Sequence, residues 1–405
     1  MISTTPRTNI VIIGGGFAGI EAARLLAKKG LSLSITLVSK NTCFQYYPSL
    51  YRLVVGATVN QVSIPLSRIF SKGVTVVIDT YKGLDTEKKT VQLESGRELP
   101  YDYVVMALGS EPNYFGINGM EAHSMSFLSI DKAIALRKHF SDTIAASKML
   151  APEAAKQQLR TIIVGAGPSG VELAGALRPF LAGLARNAGV NPGLITVDLL
   201  DSGPRILPAI PERASKLVTD QLKKQGVTIY SNYGVNACEE GCVIAADKSQ
   251  SGDAASDVHM HAGTVVWTAG TKISSAFATI PGATFTDRKR VEVTETLTLP
   301  SDDTLYVIGD GSGTPYSGLA QTAIDQGAYV AGAIESRIKG QAVVAYVPKP
   351  GVFVIPVGKG WAILNKKEFV VSGMAAWLIR ILVDAKYFMS ITSFWYLFKM
   401  IKRDK

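Results

Sequence analysis

At 405 residues, with 47% hydrophobic and 19% charged side chains, the chain has room for two or three domains with cores of their own, and its composition excludes wholesale disorder. The net charge of +9 is concentrated rather than spread: from Tyr346 to Lys405, ten Lys or Arg stand against Glu368, Asp384 and Asp404, which leaves +7 of it in the last 60 residues. That argues against a distributed nucleic-acid face and assigns the charge to a C-terminal tail.

MISTTPRTN leads into the first strand with no apolar signal region. The stretch Asn9–Ala23, NIVIIGGGFAGIEAA, is a short apolar run, a glycine turn and the start of a helix. The spacing fixes what each glycine does. Gly14 makes the tight turn, Gly16 lets backbone approach a pyrophosphate, and Gly19 lets helix and strand pack closely. The helix N-terminus adds free N–H groups and the positive end of a dipole. A helix is expected to about Gly30, then the strand Ser34–Ser39. An acid that binds a ribose hydroxyl is expected next, but Ser39 and Lys40 stand there. Ser39 offers a hydroxyl and Lys40 favours a phosphate; the alternative is an adenosine end held less tightly.

Short strands at Val74–Ile78 and Thr90–Leu93 come before YDYVVMALGS, a buried strand that ends in small residues and Gly109, a pattern that brings backbone close to a ligand. A helix over Ile130–Leu150 leads to a second glycine turn, TIIVGAGPSGVELA, where Gly165, Gly167 and Gly170 repeat the first spacing. Two such folds imply two dinucleotides and electrons passed from one to the other. Glu172 lies just inside the second helix, where a carboxylate complements the dipole. The strand Thr196–Leu200 ends in Asp201, placed to bind the 2′-hydroxyl of NAD and repel the 2′-phosphate of NADP, although Arg205 keeps NADP open.

GTVVWTAG at Gly263–Gly270 mirrors the earlier strand-to-glycine element and closes the second fold. DTLYVIGDG then returns to the first, aiming Asp310 at a ligand hydroxyl, and LAQTAIDQG begins a helix at Leu319. Cys43, Cys238 and Cys242 form neither a disulfide framework nor a zinc site, and the four histidines have no catalytic setting. In the tail, Met374, Trp377, Leu378, Ile381, Leu382 and Ala385 fall on one helical face. A second run from Tyr387 to Ile401 carries Phe394, Trp395, Tyr396 and Phe398 beside Lys399, Lys402, Arg403 and Lys405. No stretch reaches the ~18 apolar residues of a membrane span. Aromatics beside basic residues instead fit an interfacial helix on anionic lipid, with a dimer interface or a core helix as the alternative.

Taken together, the doubled glycine turn, YDYVVMALGS and YVIGD resemble the two-dinucleotide-binding-domain flavoprotein superfamily. SEPNYFGING, GVELAG, AQTAIDQG, GKGWA and the basic tail narrow the resemblance to the type II NADH dehydrogenases, single-subunit NADH:quinone oxidoreductases. The resemblance covers essentially the whole length. It implies an α/β chain of two Rossmann-like domains: an FAD-binding domain over 1–118 and 290–345, an NAD(H)-binding domain over 119–289, and a membrane-association or dimerisation region over 346–405. Non-covalent FAD would lie on Gly14, Gly16 and Gly19, with Ser39, Lys40, Gly109 and Ala320 around it and Asp310 on the ribitol. NADH would lie on Gly165, Gly167, Gly170 and Asp201, with Glu172 near the nicotinamide. Tyr46, Tyr47 and Pro48 would line the flavin pocket or pack its loop. A membrane quinone would meet the helix at Gln321, and the family's second glutamine is replaced by Asp325, with Gln326 beside it. The implied place is the cytoplasmic face of the cell membrane, held peripherally by the C-terminal helices, without proton pumping. The alternatives are a single-cysteine NADH oxidase or peroxidase using Cys43 and a redox-sensing flavoprotein with slow turnover; a sulfide:quinone reductase lacks the cysteines it needs.

Overall fold

The computed structural model describes residues 7–249 and 257–392. Two parallel sheets carry the two glycine turns. The first has six strands in the order Thr298–Leu299, Asp302–Val307, Tyr103–Met106, Thr8–Ile13, Leu33–Ser39 and Thr75–Ile78, and only the Thr298–Leu299 edge runs antiparallel. The second has four parallel strands, Val227–Tyr230, Thr196–Leu200, Arg160–Val164 and Thr264–Trp267. These strands read as near-continuous apolar runs because helices and meanders cover both faces.

The sheets repeat one arrangement. In each, the glycine-turn strand is central, the next strand in sequence lies on one side, and the strand ending in small residues lies on the other. Gly14 N–H donates to Val38 O at 2.8 Å and Gly165 N–H to Leu200 O at 2.7 Å. Across the other edge, Ala107 N–H reaches Ile13 O and Thr268 N–H reaches Val164 O, both at 2.8 Å. A short antiparallel pair, Ser110–Pro112 with Thr271–Ile273, joins the two folds directly beyond these edges.

Helices Phe17–Leu26 and Ala320–Ile338 lie together on the first sheet. A Cβ at Gly327 would sit 2.4 Å from Ala18 O, so the return helix approaches as closely as it does only because that residue is glycine. The first helix stops at Leu26, short of the expected Gly30, because the Lys28-Lys29-Gly30 turn ends it with Gly30 at φ +68°. The helix Ile130–Ser147 is capped by Ser129, whose hydroxyl accepts from Lys132 N–H. It packs with the second glycine-turn helix, Pro168–Asn187, in the core of the second fold.

The C-terminal region is an antiparallel sheet, Phe353–Pro356, Ala362–Lys366 and Phe369–Gly373, followed by the helix Met374–Ile391. Its hairpin rests on the second glycine-turn helix at Gly175, where a Cβ would lie 2.9 Å from Gly358 N. The helix reaches the other fold as well, since Phe388 and Ile391 are buried in the core of the first. The C-terminal region thus bridges both nucleotide folds.

Candidate active site between the two folds

The two glycine turns are built alike. Gly14 and Gly165 have φ of +117° and +106°, and a side chain at either would run into the neighbouring strand end, at Ala107 O (2.1 Å) or Ala269 Cα (2.3 Å). Gly19 and Gly170 each leave 2.0 Å between a Cβ and the carbonyl of the turn glycine, so only glycine lets helix and strand close. Gly16 and Gly167 differ: a Cβ there meets no atom within 4 Å among the described residues. Neither helix has a side-chain cap among those residues. Open space over an uncapped helix N-terminus is the cradle a pyrophosphate needs, and both sites have it. The residues present fit a dinucleotide in each fold.

Around the first turn, Gly109 has φ +70° and Asp310 follows Gly309 at φ +73°. Ser110 Oγ donates to Asp310 Oδ2 at 2.6 Å and Arg290 Nη1 to Asp310 O at 2.6 Å, so the carboxylate is held beside the strand ends. Gln326 fixes the same loop from below, accepting from Gly309 N–H (2.6 Å) and donating to Thr314 Oγ1 (2.8 Å). Both ends of this fully buried amide are engaged. Ser39 lies under Gly15, its hydroxyl donating to Asn41 O at 2.9 Å, while Lys40 is exposed. Asp201 braces the second turn: Oδ2 accepts from Ala166 N–H (2.6 Å) and Oδ1 from Gly203 N–H (2.8 Å). Each oxygen keeps one further lone pair for a ribose hydroxyl.

Between the folds lies a buried charged cluster that no sequence motif assembles. Glu172 is 7% exposed, and its Oε1 lies 3.4 Å from Arg380 Nη1 on the C-terminal helix. Arg380 Nε pairs with Asp384 Oδ1 at 3.0 Å, and Tyr46 OH donates to the same oxygen at 2.7 Å. The other guanidinium contacts are carbonyls, Val354 O and Pro48 O, both at 2.8 Å. Burial pushes the Glu172 carboxyl up to about 8, because Arg380 at 3.4 Å only partly offsets desolvation and Asp384 competes for the same cation. Burial opposes the charge of Arg380, but Glu172 and Asp384 hold it protonated well above the ordinary arginine range. Tyr46 stacks on Tyr387 (centroids 5.6 Å apart, planes at 26°) and meets Phe17 of the first glycine turn edge-on at 5.6 Å. One chain of contacts therefore runs from Glu172 in the second fold to Phe17 in the first.

The residue that sequence reasoning misses is Arg380. Its signal is an arginine and an aspartate four apart in an otherwise apolar helix. That helix is turned inside out: Arg380 and Asp384 face the protein with Ala376 and Phe388, while Leu378, Ile381 and Leu382 stand at 50%, 44% and 67% exposed. The expected apolar face exists and is presented outward. Phe394, Trp395, Tyr396, Phe398, Lys399, Lys402, Arg403 and Lys405 lie outside the described residues. No described helix is long and apolar enough to cross a membrane.

At the start of the return helix, Gln321 is exposed and its Oε1 accepts from Val352 N–H at 3.1 Å. Leu319 before it carries no side-chain cap among the described residues, so this helix too offers open N–H groups. Asp325, one turn on, pairs with Lys349 at 2.9 Å. The cysteines are apart from this constellation: Cys238 and Cys242 sit in the meander over the second sheet, and burial pushes the Cys238 thiol up to about 11. Cys43 is half-buried on the strand Cys43–Gln45, next to Phe44, which is buried in the first core.

The sequence pattern of the family described as pyridine nucleotide-disulphide oxidoreductase matches residues 8–327. Among curated proteins, the type II NADH:quinone oxidoreductase NdhA of Mycobacterium tuberculosis is 28% identical over 94% of this chain and 83% of its own length. The type II NADH:quinone oxidoreductase of Staphylococcus haemolyticus is 26% identical over 94% and 95%. In fold, the chain is similar to NDH2 from Plasmodium falciparum in complex with NADH, with a TM-score of 0.87 at 17% identity over 98% of this chain and 97% of that one. It is also similar to the sulfide:quinone oxidoreductase of Aquifex aeolicus, with a TM-score of 0.78 at 20% identity over 95% and 91%.

Proposed function

The chain belongs to the pyridine nucleotide-disulphide oxidoreductase family, and from that premise we propose that it is a single-subunit NADH:quinone oxidoreductase of type II, working without proton pumping. The observation that carries this is the paired site: two equivalent nucleotide cradles facing one buried cluster that joins them through Glu172, Arg380 and Tyr46. FAD, bound non-covalently in the first fold, supplies the two-electron redox chemistry. The residues of the chain do the rest. Gly14, Gly16, Gly19 and Asp310 hold the first dinucleotide, and Gly165, Gly167, Gly170 and Asp201 hold NADH in the second.

Burial, only partly offset by Arg380, raises the Glu172 carboxyl well above the ordinary glutamate range, next to the place where the nicotinamide would lie. Arg380 fixes the direction of that carboxyl, and the Tyr46–Tyr387–Phe17 stack excludes water from the inner side. Gln321 and the uncapped N-terminus of its helix face the acceptor and offer donors to a carbonyl oxygen. The outward apolar face of the C-terminal helix, with the basic tail, rests on a lipid surface on the cytoplasmic side, where the quinone is dissolved. A homodimer through part of that face is compatible with it.

Full-length FAD-loaded protein should consume NADH with a short-chain ubiquinone or menaquinone analogue as acceptor, and NADPH should be a poor substitute. Turnover with hydrogen peroxide but not with quinone, abolished by Cys43→Ser, would replace this reading with the single-cysteine peroxidase.

A further inference from the structure

Residues 341–352 form a strap without regular structure that runs back along the return helix. Tyr346 N–H donates to Glu295 O at 2.8 Å, and Tyr329 OH donates to Val344 O at 2.7 Å. At its far end, Lys349 pairs with Asp325 and Val352 N–H donates to Gln321 Oε1. Gly351 presses between them: a Cβ there would lie 2.7 Å from Leu319 Cδ1 and 4.0 Å from Gln321 Oε1.

The amide of Gln321 can point either end outward, and the two ends do opposite things. A backbone N–H can be met only by the amide oxygen, so the strap fixes Oε1 inward and turns the two N–H bonds of Nε2 to the solvent side. A quinone carbonyl has lone pairs only, so the outward end is the end it requires. Asp325 cannot take this role, because an ionised carboxylate donates nothing. Its place one turn from Gln321 suits a different role, which is to anchor Lys349 and with it the strap. The buried Gln326 cannot compete for the acceptor either, since both ends of its amide are engaged in the loop of Asp310.

We propose that the Asp325–Lys349 pair is a positioning device: it clamps the 341–352 strap so that Val352 N–H holds Gln321 with its N–H bonds toward the quinone. The inference rests on the quinone reading above, and its test separates the two.

The experiment measures three rates on FAD-loaded full-length protein for the parent, Lys349→Ala, and the charge-swapped pair Asp325→Lys with Lys349→Asp. They are flavin reduction by NADH, steady-state reduction of a short-chain quinone, and reduction of ferricyanide, which needs no oriented donor. Lys349 is largely exposed, so its removal leaves the fold intact. Lys349→Ala is expected to raise the quinone KM by about twofold to fivefold, the worth of an exposed ion pair, with NADH reduction and ferricyanide rates unchanged. The swap is expected to restore at least half of that loss. An unchanged quinone KM in Lys349→Ala, an equal fall in all three rates, or no rescue by the swap would overturn the positioning role. Failure of the parent protein to reduce any quinone would instead overturn the functional reading itself.

Discussion

The two glycine turns and the C-terminal helix reach the same cleft by opposite rules. In the turns, backbone geometry dictates the residue: a Cβ at Gly19 or Gly170 would lie 2.0 Å from a carbonyl oxygen, and nothing but glycine closes the helix onto its strand. In the C-terminal helix the backbone is ordinary, and the choice of residue reverses the usual sorting of polar and apolar. Its charged pair, Arg380 and Asp384, faces inward to Glu172, while its leucines face out. The first arrangement leaves two open cradles over uncapped helix N-termini. The second links the two folds, because a single guanidinium reaches the second fold at Glu172 and the first at Pro48 O.

The sharpest way to break this comparison is at Gly16 and Gly167, the turn glycines that the protein itself leaves in open space. Gly16→Val and Gly167→Val add side chains into open space, so both proteins should keep the parent melting temperature in the ligand-free form. Gly16→Val should purify without flavin absorbance, whereas Gly167→Val should keep its flavin and lose at least about tenfold in NADH affinity. Loss of flavin from both would mean that the two turns are not independent sites.

Next in size is the bridge. Arg380→Met removes a buried cation and leaves Glu172 and Asp384 facing one another, at a cost of about 3 kcal/mol, readable by urea denaturation. Its NADH-driven flavin reduction should fall by more than tenfold at pH 7. Full activity with unchanged stability would reduce Arg380 to an incidental contact.

Glu172 gives a pH-resolved version of the same test. Its folded value of about 8 lies above the unfolded 4.5, so the native state retains a proton that the unfolded state releases. Stability attributable to the group is full below about pH 4.5 and is lost as pH rises towards 8. Glu172→Gln should therefore gain on the parent across that window by an amount on the order of a few kcal/mol, with the difference flat above it. A difference independent of pH would mean the carboxylate is ionised throughout.

The smallest effect on chemistry should come from the outer face. Leu378→Ser with Leu382→Ser leaves Arg380 in place and should reduce binding to anionic vesicles several-fold, with quinone turnover in detergent within about twofold of the parent. Deleting Ser372–Lys405 is a poorer test of anchoring, because it also removes Arg380 from Glu172.

The legible parts of the sequence are those where one residue type answers a local backbone demand. Gly14 and Gly165, Gly109 and the Asp310 turn fall at strand ends in the structure, because each is forced within a few residues of sequence. Strand ranges are legible for the same reason, with Thr196–Leu200 found at its expected bounds. Other features depend on contacts hundreds of residues apart. Arg380 meets Glu172 across 208 residues and Tyr46 meets Asp384 across 338, separations no local pattern encodes. Helical periodicity counts apolar positions and takes their face as the informative one, so the charged face passes as solvated. Ser39 reads as a ligand contact in the sequence, and in the structure it lies under Gly15 with its proton given to Asn41 O, a contact the sequence does not reveal. The adjacent pair Asp325 and Gln326 shows the limit most clearly. One helical step, about 100° of rotation, puts the first at the surface with Lys349 and the second wholly inside.

The most direct test of electron transfer from NADH through the flavin to quinone is a double-mixing stopped-flow experiment on the full-length FAD-loaded protein. Flavin absorbance would be followed as anaerobic NADH bleaches it and as a short-chain quinone is then added. Fast bleaching with NADH, slow bleaching with NADPH, and recovery of the oxidised spectrum within the turnover time once quinone arrives are the expected results. Bleaching that quinone does not reverse, while oxygen or peroxide does, would contradict that electron path.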